Sequence, residues 1–246
     1  MWASEIHKID GTWYLYYSAA PCEAAGRVER LHVLKGGVTP WDTYSYLGQL
    51  TDEWGIDATV GMVNDQQYYS YCCFRENLQS LCIAPMSDPS TIGEAAILAQ
   101  PTQDWETVIG VINEAPAFLQ HNGSTFISFS ASHCRSPDYA LGLLTLKNDC
   151  SGQSATCDPL QRSSWTKSGP VFSHANGNYG TAHNGFFKSP DGTEDWLVYH
   201  AVSNSSGACG GTRYTMAQKI SWGADGSPDF GNPVETGIEL SGPSGE

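Results

Sequence analysis

The chain has 246 residues, and its 12 Lys+Arg against 26 Asp+Glu give a formal charge of −14, which excludes the clustered basic surface that nucleic acid demands. A hydrophobic content of 40%, with 8 Trp and 12 Tyr, excludes intrinsic disorder. No run approaches the roughly 20 apolar residues of a membrane span, so the expected partner is a neutral or cationic molecule in water.

With 26 Gly, 13 Pro and scarcely any amphipathic helical pattern, the sequence predicts many short strands joined by turns. Four segments repeat one plan: a turn dipeptide, an aromatic-rich strand ending in small or polar residues, a loop, and a second strand. Asp10-Gly11 precedes TWYLYYSA, Asn64-Asp65 precedes QQYYSYCC, Asn122-Gly123 precedes STFISFSAS, and Asp191-Gly192 precedes TEDWLVYHA. Asp-Gly and Asn-Gly suit two-residue hairpins because both central residues take positive φ. The later partner strands begin at Arg30, Gln79, Tyr139 and Arg213. Units of this length and order predict an all-β propeller in a single domain, with approximate blade units 1–50, 51–105, 106–175 and 176–246. A β-sandwich with coincidental turns is the plainer alternative. The opening Met1-WASEIHKIDG reads as the innermost strand and hairpin of a second blade, so a first blade is expected to be largely missing.

The 8 Cys form no Cys-x-x-Cys pair, which argues against a zinc ribbon. Cys150 and Cys157 bracket the polar stretch at 151–156 as a loop-closing disulfide would; the other pairings stay open. Asn122-Gly-Ser124 and Asn204-Ser-Ser206 are glycosylation sequons, consistent with secretion, although no signal peptide precedes Met1.

Innermost strands line a propeller's channel. Just upstream of the four turns, Trp2-ASEIH, Trp54-GIDATV, Asn113-EAPAFL and Ala182-HNGFF each carry one polar side chain beside small residues: Glu5, Asp57, Glu114 and His183. At equivalent repeat positions these would converge on one axis, the arrangement a two-carboxylate hydrolase needs. Glu114, preceded by a Val-Ile run and flanked by Asn113 and Ala115-Pro116, reads as a desolvated acid with a raised pKa, or as a rim carboxylate capping a turn. Asp57 is a second buried carboxylate or a turn Asp. His183 is a structural residue, a holder of axial water or a metal ligand, and one His defines no metal site. Arg213 could bind substrate hydroxyls or a carboxylate, or form a surface ion pair. Trp2 and Trp54 stand where flat rings can stack on sugar C–H faces.

The segments Trp2-ASEIHKIDGTWYLYYSA, Trp54-GIDATV, Val111-INEAPAFLQHNGSTFISFSAS and Thr181-AHNGFFKSPDGTEDWLVYHA resemble the blade-opening motifs of glycoside hydrolase family 43, most of all its secreted α-L-arabinofuranosidases. The resemblance implies a five-bladed β-propeller that cleaves arabinofuranosyl or xylosyl linkages of plant cell-wall polysaccharides with inversion. It makes Glu114 the general acid, Asp57 the second carboxylate that tunes it, and Trp2, Trp54, Asn113, His183 and Arg213 substrate-binding residues. No cofactor is required, though a structural calcium ion near His183 is implied. Arabinose- or xylose-containing oligo- or polysaccharide is the implied partner of a secreted monomer. Ser4 stands where the family carries Pro, and Ala115 and Ala182 where it carries Gly. The family's general base is an Asp upstream of Trp2-Ala-Ser-Glu; without it hydrolysis should be impaired. A non-catalytic sugar-binding propeller and a β-xylosidase are the alternative readings.

Overall fold

The structure, a computed structural model, describes residues 1–22, 28–150 and 157–246; the 151–156 stretch between Cys150 and Cys157 lies outside them. The period-two alternation of the aromatic runs becomes antiparallel strands. Blade A contains β1 (Trp2–Ile9), β2 (Thr12–Ala19), β3 (Arg30–Lys35) and β4 (Ser45–Gln49), paired in that order. Blade B contains β5 (Gly55–Val63), β6 (Gln66–Arg75), β7 (Leu78–Asp88), the two-residue β8 (Thr91–Ile92) and β9 (Ala96–Ala99), the last pairing with β7. Blade C contains β10 (Asn113–His121), β11 (Ser124–Ala131), β12 (Ala140–Leu146) and β13 (Trp165–Phe172). Blade D contains β14 (Tyr179–Lys188), β15 (Asp195–Val202) and β16 (Tyr214–Lys219), followed by the small pair β17 (Ser221–Trp222) and β18 (Pro228–Asp229). This is an all-β propeller with four blades among the described residues.

Three of the turn dipeptides close two-residue hairpins with positive φ at both positions: Asp10-Gly11, Asn64-Asp65 and Asn122-Gly123. The fourth does not. Asp191 spends its carboxylate on Ser189 and Thr193, and a wider loop separates Lys188 from Asp195.

Apolar side chains on alternate strand positions pack blade against blade. One core joins A to B through Tyr16, Leu31, Val33, Tyr69 and Cys82. A second joins B to C through Leu81, Ile83, Leu98, Ile127, Phe129 and Leu144, and a third joins C to D through Phe126, Leu141, Phe172, Leu197 and Tyr199. Disulfides link Cys73 to Cys82, Cys134 to Cys209 and Cys150 to Cys157. The remaining faces of blades A and D are only half covered: Ile6 is 47% exposed, Tyr46 61% and Phe187 39%.

Candidate active site

One local distortion recurs in all four innermost strands. The pairing register skips between Trp2 and Glu5, Ile56 and Thr59, Glu114 and Ala117, and Ala182 and Gly185. The residue after each break carries positive φ: Ala3 (+41°), Asp57 (+54°), Ala115 (+50°) and His183 (+46°). Non-glycine residues enter this region at a cost of about 1–2 kcal/mol each. Four equivalent β-bulges of this kind are built features that re-aim side chains. They also correct the sequence-based alignment of the four polar groups. Asp57 and His183 share the left-handed position, whereas Glu114 stands one residue before it, level with Trp2, and Glu5 two residues after it.

The bulges separate two cavities. A cavity of about 210 Å3 on the axis is walled by Ser4, Glu5, Asp57, His183 and Asn184. A second, of about 390 Å3, opens at the mouth of the inner strands and is walled by Trp2, Glu29, Trp54, Gln79, Glu114 and His133. Both expected stacking residues, Trp2 and Trp54, therefore stand beside Glu114.

Glu114 is held from two sides. The Tyr139 hydroxyl donates to Oε1 at 2.7 Å, and Gln79 Nε2 donates to Oε2 at 2.8 Å. Burial, assisted by the charge of Asp57, pushes its pKa up to about 7 despite these donors. A carboxyl in that range can carry a proton at neutral pH and deliver it, as general acid chemistry requires. Asp57 is buried, accepts a hydrogen bond from the Ala115 backbone N–H, and is pushed upward by desolvation with Glu5 adding to it. It faces the axial cavity and acts on Glu114 through its charge.

The other expected residues fall in different places. Asn113 is fully buried and donates to Glu106 and the Ile112 carbonyl, so it supports β10 from behind and does not reach the cavity. Arg213 immediately precedes β16, is exposed, and donates to His200 Nε2 at 3.1 Å. Because a guanidinium only donates, His200 carries its proton on Nδ1; burial, with Arg213 beside it, keeps this ring neutral. Arg213 does not wall the Glu114 cavity, although its charge is felt at Asp57 and His183. Burial pushes His183 downward, and its backbone N–H donates to Ser130 Oγ at 2.8 Å.

His183 is the residue expected to lie near a calcium ion. Among the described residues it joins no group of three His, Cys, Asp or Glu ligand atoms. Calcium takes 6–8 oxygens, and an imidazole nitrogen is a poor substitute. On the wall of its cavity the buried polar atom lacking a partner is Asn184 Nδ2, a donor that a cation would not take.

Sequence reasoning passed over Tyr139, Gln79 and Glu29. Aligning the registers puts Glu29, Gln79, Tyr139 and Arg213 at one position, immediately before the third-strand residues Arg30, Ser80, Ala140 and Tyr214. Three of them meet the site directly: Glu29 accepts from Trp54 Nε1 at 2.7 Å, and Gln79 and Tyr139 hold Glu114; Arg213 holds His200, whose ring lies on Tyr139. The signal was available, since Gln79, Tyr139 and Arg213 begin the repeated partner strands and Glu29 directly precedes the fourth.

Comparison with known proteins fits this geometry. The family model described as glycosyl hydrolases family 43 matches residues 1–228. The "extracellular exo-alpha-(1->5)-L-arabinofuranosidase" of Streptomyces avermitilis is 38% identical over 97% of this chain and 51% of its own length. The "alpha-L-arabinofuranosidase 43" of Humicola insolens is 35% identical over 96% and 51%. The chain thus spans about half the length of these curated relatives. The crystal structure of an alpha-L-arabinofuranosidase from Lactobacillus brevis superposes with a TM-score of 0.83 at 31% identity, covering 97% of this chain and 78% of that one. By its motifs, its blades and these matches, the chain belongs to glycosyl hydrolases family 43.

Proposed function

We propose that the chain forms the acid-bearing part of a secreted glycosidase that removes arabinofuranosyl residues from plant cell-wall polysaccharides with inversion of configuration. The observation that carries this reading is Glu114, held by Tyr139 and Gln79, raised toward neutral pH, and set in one cavity with Trp2 and Trp54. Glu114 protonates the leaving glycosidic oxygen. Asp57 keeps that proton on Glu114 through its charge. The two indole faces stack against the sugar or its leaving group. Inversion also needs a carboxylate base that activates water on the opposite side of the sugar ring. On this reading the base is an Asp on the innermost strand of a fifth blade, and the half-covered faces around Ile6 and Phe187 are where that blade packs. The names of the relatives from Streptomyces avermitilis and Humicola insolens support arabinofuranosyl specificity, and the former supports secretion.

The test is turnover of a chromogenic arabinofuranoside by an N-terminally extended version of the protein and by its Glu114→Gln variant. Equal rates in the two would overturn the acid assignment. Release of xylose in preference to arabinose from matched substrates would overturn the specificity. Chelator treatment of the extended protein is expected to leave turnover unchanged.

A further inference from the structure

Beside the carboxylates, a covalent link joins two loops of the site face. Cys134, in the segment between β11 and β12, is bonded to Cys209, in the loop between β15 and β16. The first segment runs directly into Tyr139, and the second runs directly into Arg213. The two are packed closely along their length. Gly207 has φ +77°, and a side-chain carbon added there would collide with the Arg135 carbonyl oxygen. The Gly180 N–H donates to the Pro137 carbonyl at 2.9 Å, tying the same segment to β14. His133 Nδ1 accepts from the Arg135 N–H at 3.1 Å and lies 3.8 Å from each sulfur. Beyond the link, the Tyr139 ring stacks on His200, with centroids 5.9 Å apart and planes 15° apart, and His200 in turn holds Arg213. Cys134 and His133 also wall the cavity that contains Glu114.

We propose that the Cys134–Cys209 disulfide is a positioning clamp for the acid: by fixing the two loops to each other it holds the buried Tyr139 hydroxyl on Glu114 Oε1 and fixes one wall of the substrate cavity. This rests on Glu114 being the general acid. The groups facing Glu114 are Asp57 from β5, His183 from β14, Tyr139 and Gln79 from the third-strand starts, and Glu29 and His133 across the cavity. Of these, Tyr139 is buried to 1% exposure and sits on the loop that the disulfide closes. A hydrogen bond to the ionised carboxylate lowers its pKa, so loss of the Tyr139 donor raises it further. Tyr139 and the disulfide are positioning residues here, acting through Glu114.

The test, in the N-terminally extended protein, is a cycle of Tyr139→Phe, Cys134→Ala/Cys209→Ala and their combination, with Cys150→Ala/Cys157→Ala as a control away from the cavity. Tyr139→Phe should lower kcat about tenfold, since it removes one hydrogen bond to a charged group. KM should change little. The basic limb of the pH profile and the carboxyl-carbon titration midpoint of Glu114, identified by its loss in Glu114→Gln, should both move upward. The disulfide-free variant should also lose kcat. Adding Tyr139→Phe to it should then cost little more, because the hydroxyl is already displaced. The control should match wild type. Gly207→Ala, which forces the same loops apart without removing a sulfur, serves if the double alanine variant fails to fold, and should reproduce the lowered kcat. Multiplicative losses in the cycle, or a disulfide-free or Gly207→Ala protein with wild-type kcat and Glu114 titration, would overturn the clamp. Wild-type turnover by Glu114→Gln would instead overturn the acid reading beneath it.

Discussion

Glu114 and Asp57 stand at adjacent positions of the same backbone bulge, one on blade C and one on blade B, yet they face different cavities. Glu114 precedes the left-handed residue and points into the mouth, where two donors grip it and two indoles flank it. Asp57 is the left-handed residue itself and turns inward to the axis, where a backbone N–H holds it. A displacement of one residue along an otherwise shared distortion thus divides a reactive carboxyl from one that acts by its charge.

The comparison can be broken most severely at Glu114. In the N-terminally extended protein, Glu114→Gln should reduce turnover by about 10²–10⁴-fold, the usual contribution of a positioned acid. The same variant tests the direction of its pKa. A carboxyl near 7 when folded and about 4.3 when unfolded binds more protons in the folded state between those values, so it favours folding fully below about pH 4. That contribution is lost as the pH rises through 7. Urea melts across this window should show a fall in stability for wild type and a flatter profile for Glu114→Gln.

The anchorage of β10 comes next. Glu106 is fully buried, takes Lys167 Nζ at 2.7 Å and accepts from Asn113, the neighbour of Glu114. Glu106→Ala leaves the ammonium with the Gln100 carbonyl and the Thr102 hydroxyl but no counter-charge, and should lower unfolding free energy by about 3 kcal/mol in urea titrations. A smaller value would mean that blade C holds Glu114 in place without it.

Asp57→Asn should lower turnover by about ten- to a hundredfold, through the charge it removes from beside the acid. Its signature is a shift of the basic limb toward lower pH, the opposite of the Tyr139→Phe shift. A limb that stays in place would show that Asp57 does not tune Glu114. The smallest effect is expected at Ala115, whose φ of +50° suits glycine. Ala115→Gly should raise stability by about 1 kcal/mol in thermal melts with turnover unchanged. A lowered Tm would show that the bulge needs the side chain it carries.

Much of this architecture was legible because turn chemistry and strand period are local. Asp10-Gly11 and Asn122-Gly123 announced hairpins that the structure contains, and both carboxylates stood out as polar groups in apolar strand starts. The bulges were not legible. An extra residue in Ile56-Asp57-Ala58-Thr59 breaks the period-two pattern no more than a polar substitution would, so the four sites were aligned out of step. The surroundings of Asn113 were hidden for a related reason, since the buried carboxylate that holds it lies seven residues upstream, at the end of a 3-10 turn. Tyr139 reads as an ordinary strand aromatic until the fold carries it from the start of β12 to Glu114.

The recurring bulge has a further consequence for how such a ring can change its chemistry. Because the same backbone kink is present in every innermost strand, each blade offers a ready socket whose occupant is swung toward the centre by the main chain alone. Ala3, Asp57, Ala115 and His183 fill four such sockets with two inert methyl groups, a carboxylate and an imidazole. A new specificity or a silenced function can then arise by exchanging one side chain in a seat that already exists, with the surrounding sheets left as they are.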